Sequence, residues 1–277
     1  MRIRWLAIAA ALLRLGSAHA QADVLIEIDR GATQGASKAG TFQRAILAKP
    51  AQPTDTALLF FRGYPGIARI QSAADKQVNL QPFVRMNQRV FAQEGIALVV
   101  MDCPTDQWGI AGAQPATCLD SYRSSKEHAD DVRAVIGKLR DEHGLTRIFV
   151  MGHSFGTISS RWLAKNLGKE ISGSIHSASM NGMNRMGYAN SLAGFAYDAI
   201  PAPALHVHNE NDACPGTPYW IVKRYAGENL VTVRGGTPTG DPCGGGHFHS
   251  YQGREEVAVR AIVAWIKTGK VERLVGE

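Results

Sequence analysis

No run of five or more like charges occurs in the 277-residue sequence. Nucleic-acid binding needs a concentrated basic stripe, and the formal net charge of +6 comes without one. Three of the positive charges, Arg2, Arg4 and Arg14, sit in the first 20 residues, where no acid offsets them. No uninterrupted apolar run reaches 18 residues, so a membrane-spanning helix is not expected. Internal repeats and low-complexity linkers are also missing. One domain over residues 21–277 is the simplest organisation. Cysteine is scarce, with four residues, and the chain is too long for a fold held by disulfides alone. A core is available, since 45% of the residues are hydrophobic, and a disordered chain is excluded.

Met1 to Ala20 has the layout of an export signal. Arg2 and Arg4 form a basic start, and Trp5 to Leu13 is an apolar stretch too short to cross about 30 Å of hydrocarbon. Ala18-His19-Ala20 is a small-x-small cleavage site, although Arg14 interrupts the pattern. The mature chain is expected to start at Gln21, with no lipid anchor because no cysteine lies near the cut. The expected location is the periplasm or the cell exterior. In such an oxidising compartment Cys103, Cys118, Cys214 and Cys243 favour two disulfides, with three connectivities open.

Short apolar runs alternate with helical patterns. Ala57–Phe61, Ile96–Met101, Arg147–Met151, Ile171–His176, Ala204–His208 and Leu230–Val233 read as strands covered on both faces. Ser124 and Glu127 have capping-box spacing ahead of a helix carrying Val132, Val135, Ile136 and Leu139. Further helices are predicted over Thr157–Leu167, burying Ile158, Trp162, Leu163 and Leu167, and over Glu255–Lys267, burying Val257, Ala261, Ile262, Trp265 and Ile266. This alternation implies right-handed crossovers and a mostly parallel α/β sheet. Val24–Ile28 and Phe42–Leu47 precede it as an antiparallel opening pair.

Gly152-His153-Ser154-Phe155-Gly156 matches G-x-S-x-G, a weak string by itself in a chain with 29 glycines. Its context is informative: it follows a strand and opens a helix. A sharp strand–turn–helix turn exposes the Ser154 hydroxyl at the top of a sheet, with the Phe155 N–H facing the same spot. A serine needs a base, and the base needs an orienting acid, in the chain order Ser, acid, His. Asp212 follows the Ala204–His208 strand and is the preferred acid. Glu210 is its rival, with Asp198 and Asp241 weaker. His249 is the preferred base, being nearer the last helix, and His247 is the alternative. His153 is expected to pack beside the nucleophile. Phe155 N–H is one expected oxyanion donor. The second is expected from the turn Arg62-Gly63-Tyr64-Pro65-Gly66, with Tyr64 N–H as the choice. A Cys214–Cys243 bond would tie the acid loop to the base loop, and a Cys103–Cys118 bond would close the loop after the Ile96–Met101 strand.

Taken together, Arg62-Gly63-Tyr64-Pro65-Gly66, the Gly152–Gly156 string, Asp212 and His249 resemble the α/β-hydrolase family over nearly the whole mature chain. More narrowly, Ser191–Phe195, Asn211–Cys214, Gly240–Cys243 and His249–Glu255 are similar to a group of exported bacterial α/β hydrolases. The resemblance implies a central sheet of about eight strands, mostly parallel, with helices on both faces. It also implies a serine hydrolase with Ser154 as nucleophile, Asp212 as acid and His249 as base. Ester hydrolysis is the commonest activity of the family, whose members also cleave thioesters and amides. One departure stands out: Arg62 occupies a position where many relatives carry histidine.

Only about 25 residues link the strand after the nucleophile to the acid strand, too few for a large lid. Trp108, Tyr64, Tyr219, Trp220, Phe248 and Tyr251 fall in loops able to line the site. The partner this reading implies is a small or medium-sized ester, with no nucleic acid, no cofactor and no metal. Two rival readings remain. His206 and His208, spaced i, i+2 on a strand, could join His247 and His249 in a metal-dependent hydrolase centre. Alternatively, the scaffold could hold a ligand without turnover.

Overall fold

The computed structural model describes residues 22–76, 80–109, 116–181, 192, 195–197 and 200–276. The expected export signal and the rival acid Asp198 lie outside these residues, as do Ser191, Ala193 and Gly194 of the family-like stretch.

Val24–Asp29 (β1) and Phe42–Ala48 (β2) pair antiparallel, with Val24 opposite Leu47. Thr56–Phe61 (β3) and Ile96–Met101 (β4) are buried at every position and pair parallel. Both belong to a nine-stranded sheet of order β1-β2-β4-β3-β7-β8-β9-β10-β11. Its remaining members are Arg147–His153 (β7), Gly173–Ser177 (β8), Ala204–Asn209 (β9), Leu230–Val233 (β10) and Leu274–Val275 (β11). Across this sheet, the neighbours from β4 by way of β3 to β11 all pair parallel. The ninth strand, β11, is the two-residue addition to the expected eight. Trp108–Gly109 (β5) and Thr117–Cys118 (β6) form a separate two-stranded sheet.

Side chains alternate across each strand, so two cores form. Leu58, Phe60, Leu98 and Val100 pack on one face with Phe83, Val84, Ile262 and Trp265. Those last four come from helices α2 (Pro82–Gln93) and α7 (Glu255–Thr268). Ala57, Leu59, Ala97 and Val99 pack on the other face with Val132, Val135, Leu139 and Leu163. These come from α4 (Lys126–His143) and α5 (Gly156–Leu167). Burial on both sides explains why the strands read as unbroken apolar runs.

Some local expectations need correction. Ser125, not Ser124, caps α4, its hydroxyl accepting from His128 N–H at 3.0 Å. The Ser124 hydroxyl instead donates to the Asp120 carbonyl. Trp162 is only half-buried, while Ser159, Ser160 and Arg161 of the same helix are buried. Helix α2, not anticipated, starts with Pro at its first turn and buries Phe83, Val84, Val90 and Phe91 as one stripe. Helices Arg30–Gln34 (α1), Asp120–Arg123 (α3) and Tyr219–Ala226 (α6) complete the set labelled here.

The topology places the candidate site. From β3 the chain crosses through α2 to β4 on one side, then returns through α4 to β7 on the other. Strands β3 and β7 are neighbours, yet the chain leaves their ends in opposite directions. Such a divergence opens a crevice at the carboxyl ends of the strands. No helix among the described residues is long and apolar enough to cross a membrane.

Candidate active site

Ser154 stands in that crevice, on the turn between β7 and α5. Its φ is +53°, in the left-handed region that a non-glycine residue enters only at a cost. The turn is held from both sides. Ser154 N–H donates to the Ser177 carbonyl of β8 at 2.9 Å, and Thr157 N–H donates to the Ser154 carbonyl at 2.9 Å. Gly156 permits the helix to start here, because a Cβ on it would overlap the Phe61 carbonyl oxygen of β3. The β3 loop also approaches the turn: a Cβ on Gly63 would lie 3.3 Å from the Ser154 Cβ.

Asp212 follows β9, as the sequence predicts, and its side chain is almost wholly buried. Its Oδ2 accepts from His249 Nδ1 at 3.0 Å, from His208 Nε2 at 3.0 Å and from the Thr217 hydroxyl at 2.9 Å. Its Oδ1 accepts from Cys214 N–H at 3.0 Å. Burial alone would raise its pKa, but the hydrogen bonds and charges of His208 and His249 outweigh that and hold the carboxyl below the usual range. The site therefore contains a carboxylate bonded to the Nδ1 side of an imidazole.

Ser154 and His249 line one cavity of about 910 Å³, together with Gly63, Tyr64, Phe155, Met180 and the Cys214–Cys243 pair. His153 also lines it, buried, with its ring centroid 5.0 Å from that of His249. Burial, followed by the charge of His249, holds its imidazole well below the ordinary histidine range. Hydrogen bonds run from His153 Nδ1 to Ser177 Oγ (3.0 Å) and from there to Tyr251 Oη (2.7 Å), and Tyr251 donates to the Val207 carbonyl (2.8 Å). That last bond uses the only Tyr251 proton. Ser177 must therefore donate to Tyr251, and His153 Nδ1–H to Ser177.

The two cysteine pairs are bonded, Cys103 to Cys118 and Cys214 to Cys243. The second lies in the cavity wall between the Asp212 and His249 loops. The first braces the Tyr64 loop from behind, packed with Ile67 and Tyr122. Two buried charges complete that brace. Asp102 accepts backbone N–H bonds from Ala68, Arg69, Ile70 and Cys103 at 2.6–3.2 Å. Arg123 donates to the Gly66 carbonyl at 3.0 Å and to Ser159 Oγ at 2.7 Å, with its guanidinium 4.8 Å from the Phe155 ring.

A family model described as serine aminopeptidase, S33 (Hydrolase_4) matches residues 88–238, from α2 to just past β10. The chain belongs to this family of α/β hydrolases. Solved structures agree on the fold of this hydrolase. Est1E from Butyrivibrio proteoclasticus superposes with a TM-score of 0.58 over 89% of this chain and 98% of its own, at 15% identity. The 2,6-dihydroxy-pseudo-oxynicotine hydrolase gives 0.56 over 92% and 70%, at 14% identity. A thermostable esterase gives 0.56 over 89% and 62%, at 16% identity. No curated protein sequence matches the chain.

Other sequence expectations for this hydrolase fare differently. His247 does not line the cavity; it precedes the turn Phe248–Ser250 and packs against Phe248. The rival acid Glu210 pairs with Arg234 at the surface. Asp241 lines the cavity, where its carboxylate accepts from Cys243 N–H at 2.7 Å. The four histidines weighed as a metal centre do not converge. His206 faces His176 and Tyr225, and among the described residues no three His, Cys, Asp or Glu side chains form a metal-binding group. Of the six aromatics expected at the site only Tyr64 lines the cavity; Tyr251 is fully buried beneath it and Trp108 packs by the Cys103–Cys118 bond. Among the described residues no helical lid domain covers the cavity. Sequence reasoning overlooked Thr217, Asp102, Arg123 and the bracing role of Tyr251. Buried polar groups leave no periodicity, and in β9 only His206 and His208, polar residues inside an apolar run, signalled themselves.

Proposed function

We propose that this α/β hydrolase is an exported serine esterase, with residues 1–20 as its export signal, residues 21–277 as its single hydrolase domain and carboxylic esters of small or medium size as substrates. The observation that carries the reading is the bond from His249 Nδ1 to Asp212 Oδ2, 3.0 Å long, on a histidine that shares one cavity with Ser154. In this mechanism His249 Nε2 takes the Ser154 proton as Oγ attacks the ester carbonyl. Asp212 holds the tautomer that leaves Nε2 free to do so. The Phe155 and Tyr64 N–H groups receive the oxyanion, and His249 returns the proton to the leaving alcohol. Water activated by the same histidine then cleaves the acyl-enzyme. The closeness of Gly63 to Ser154 supports Tyr64 as the second donor. Among the described residues lining the cavity, Asp241 is the only carboxylate and there is no lysine or arginine, which favours uncharged esters. The two disulfides support an oxidising location.

Intact mass after treatment with a serine-directed phosphonate tests the nucleophile. Wild type should gain one adduct, and Ser154→Ala and His249→Ala should gain none, while His247→Ala should still react. A p-nitrophenyl ester series from acetate to octanoate tests the substrate class. Loss of Ser154 should lower kcat by about 10⁴-fold or more. Full turnover in Ser154→Ala would refute the assignment.

A further inference from the structure

His208 lies at the end of β9, and its side chain is fully buried. Its Nε2 is 3.0 Å from Asp212 Oδ2 and 2.9 Å from the Thr217 carbonyl oxygen. A carbonyl oxygen can only accept, so Nε2 must carry a hydrogen, shared between the two oxygens. The other ring nitrogen, Nδ1, is buried without a partner. Tyr219 of α6 packs edge-on against the ring, at 5.9 Å between centroids. The polar contacts of His208 thus all lie on its Nε2 side, toward the Asp212 loop.

From this geometry we infer that His208 is a positioning residue: its Nε2–H locks the Asp212 carboxylate in the rotation that keeps Oδ2 on His249 Nδ1. The inference rests on the Ser154–His249–Asp212 reading above and adds a residue to it. Oδ2 takes three donors, from His208, His249 and Thr217, while Oδ1 takes the Cys214 N–H. The same His208 hydrogen ties the acid to the 214–217 turn. Without it the carboxylate keeps only the Thr217 hydroxyl and the Cys214 N–H beside His249 and can turn away. His249 would then spend time in the tautomer that cannot accept the serine proton, an error costly to catalysis in such a triad.

The test separates donor reach from side-chain bulk. Gln places its amide nitrogen where His Nε2 lies, Asn places it near Nδ1, and Leu has no donor. The readout is the rate of phosphonate attachment to Ser154, measured by intact mass over a range of reagent concentrations, which needs no natural substrate. His208→Gln should stay within about threefold of wild type. His208→Asn and His208→Leu should slow the maximal attachment rate by about ten- to hundredfold, as expected for losing a hydrogen bond to a charged group. The reagent concentration giving half that rate should not change. A role in packing alone would rank the variants by volume and thermal stability instead. His208→Leu reacting as fast as wild type, or His208→Gln falling as far as His208→Leu, would overturn the inference. If the variants do not fold, the tautomer is read in wild type from ¹⁵N-labelled histidine rings: Nε2–H at His208 is expected, and Nδ1–H overturns the proposal. Wild type that never attaches phosphonate would refute the serine reading, and this inference with it, a result distinct from equal labelling of wild type and His208→Leu.

Discussion

The backbone N–H of Cys118 donates to the carbonyl oxygen of Pro65 at 3.0 Å. Through this bond the Cys103–Cys118 disulfide, closing a 15-residue span, holds the loop that carries Tyr64. Replacing both cysteines with alanine should cost about 3 kcal/mol of stability, the chain-entropy value for such a span. On the proposed mechanism ester turnover should fall further than the folded fraction does, because the Tyr64 loop loses its support. Denaturant titration alongside kcat measures both effects, and an unchanged kcat at full folding would separate the disulfide from the site.

Gly156 admits no side chain. Its Cα faces the Phe61 backbone, which cannot move without shifting β3. Gly156→Ala should therefore destabilise the fold by about 3 kcal/mol or more and lower soluble yield. A melting temperature equal to wild type would show that the α5–β3 approach is looser than described.

Asp212 makes stability fall in acid. Its hydrogen bonds from His208 and His249 hold the folded-state pKa below the ordinary carboxylate value, near 3.9 in the unfolded chain. The unfolded state therefore binds the proton more readily, and stability present above about pH 4 is lost as pH falls toward the folded pKa. Asp212→Asn should be less stable than wild type at neutral pH and should show a shallower decline below pH 4. Urea midpoints from pH 2 to 7 give the comparison, and parallel curves would contradict it.

Tyr251 sits two residues past His249, with φ +61°, and its hydroxyl bridges Ser177 to the Val207 carbonyl. Tyr251→Phe leaves the Ser177 proton without its acceptor in a buried place and takes one of two donors from the Val207 carbonyl, which keeps the Ala178 N–H at 2.9 Å. The expected loss is about 1–3 kcal/mol. Since the same network orients His153 against His249, phosphonate attachment should also slow. Chemical denaturation and labelling on one preparation would test the two consequences together.

The apolar runs made the parallel sheet legible, because strands buried on both faces leave continuous hydrophobic stretches. The elbow was legible because glycine is required where Gly156 meets Phe61. Asp212 and His249, the proposed acid and base, can be singled out from chain order and from their place after β9 and β10. The supports were not legible. Asp102 and Arg123 are single polar residues whose partners are backbone groups distant in sequence, and no spacing announces such bonds. Helix α2 escaped notice because Arg85, Asn87, Gln88 and Arg89 separate its two apolar pairs, which meet on one face only once the helix is formed.

With Ser154 as the proposed nucleophile, its left-handed backbone sets reactivity against durability. A glycine at position 154 would relieve about 1–3 kcal/mol of backbone cost while erasing the hydroxyl. Selection for heat resistance alone would thus drive this position toward a protein without its proposed nucleophile. A search for hardier variants has to fix residue 154 and seek its gains elsewhere, in the braces behind the turn.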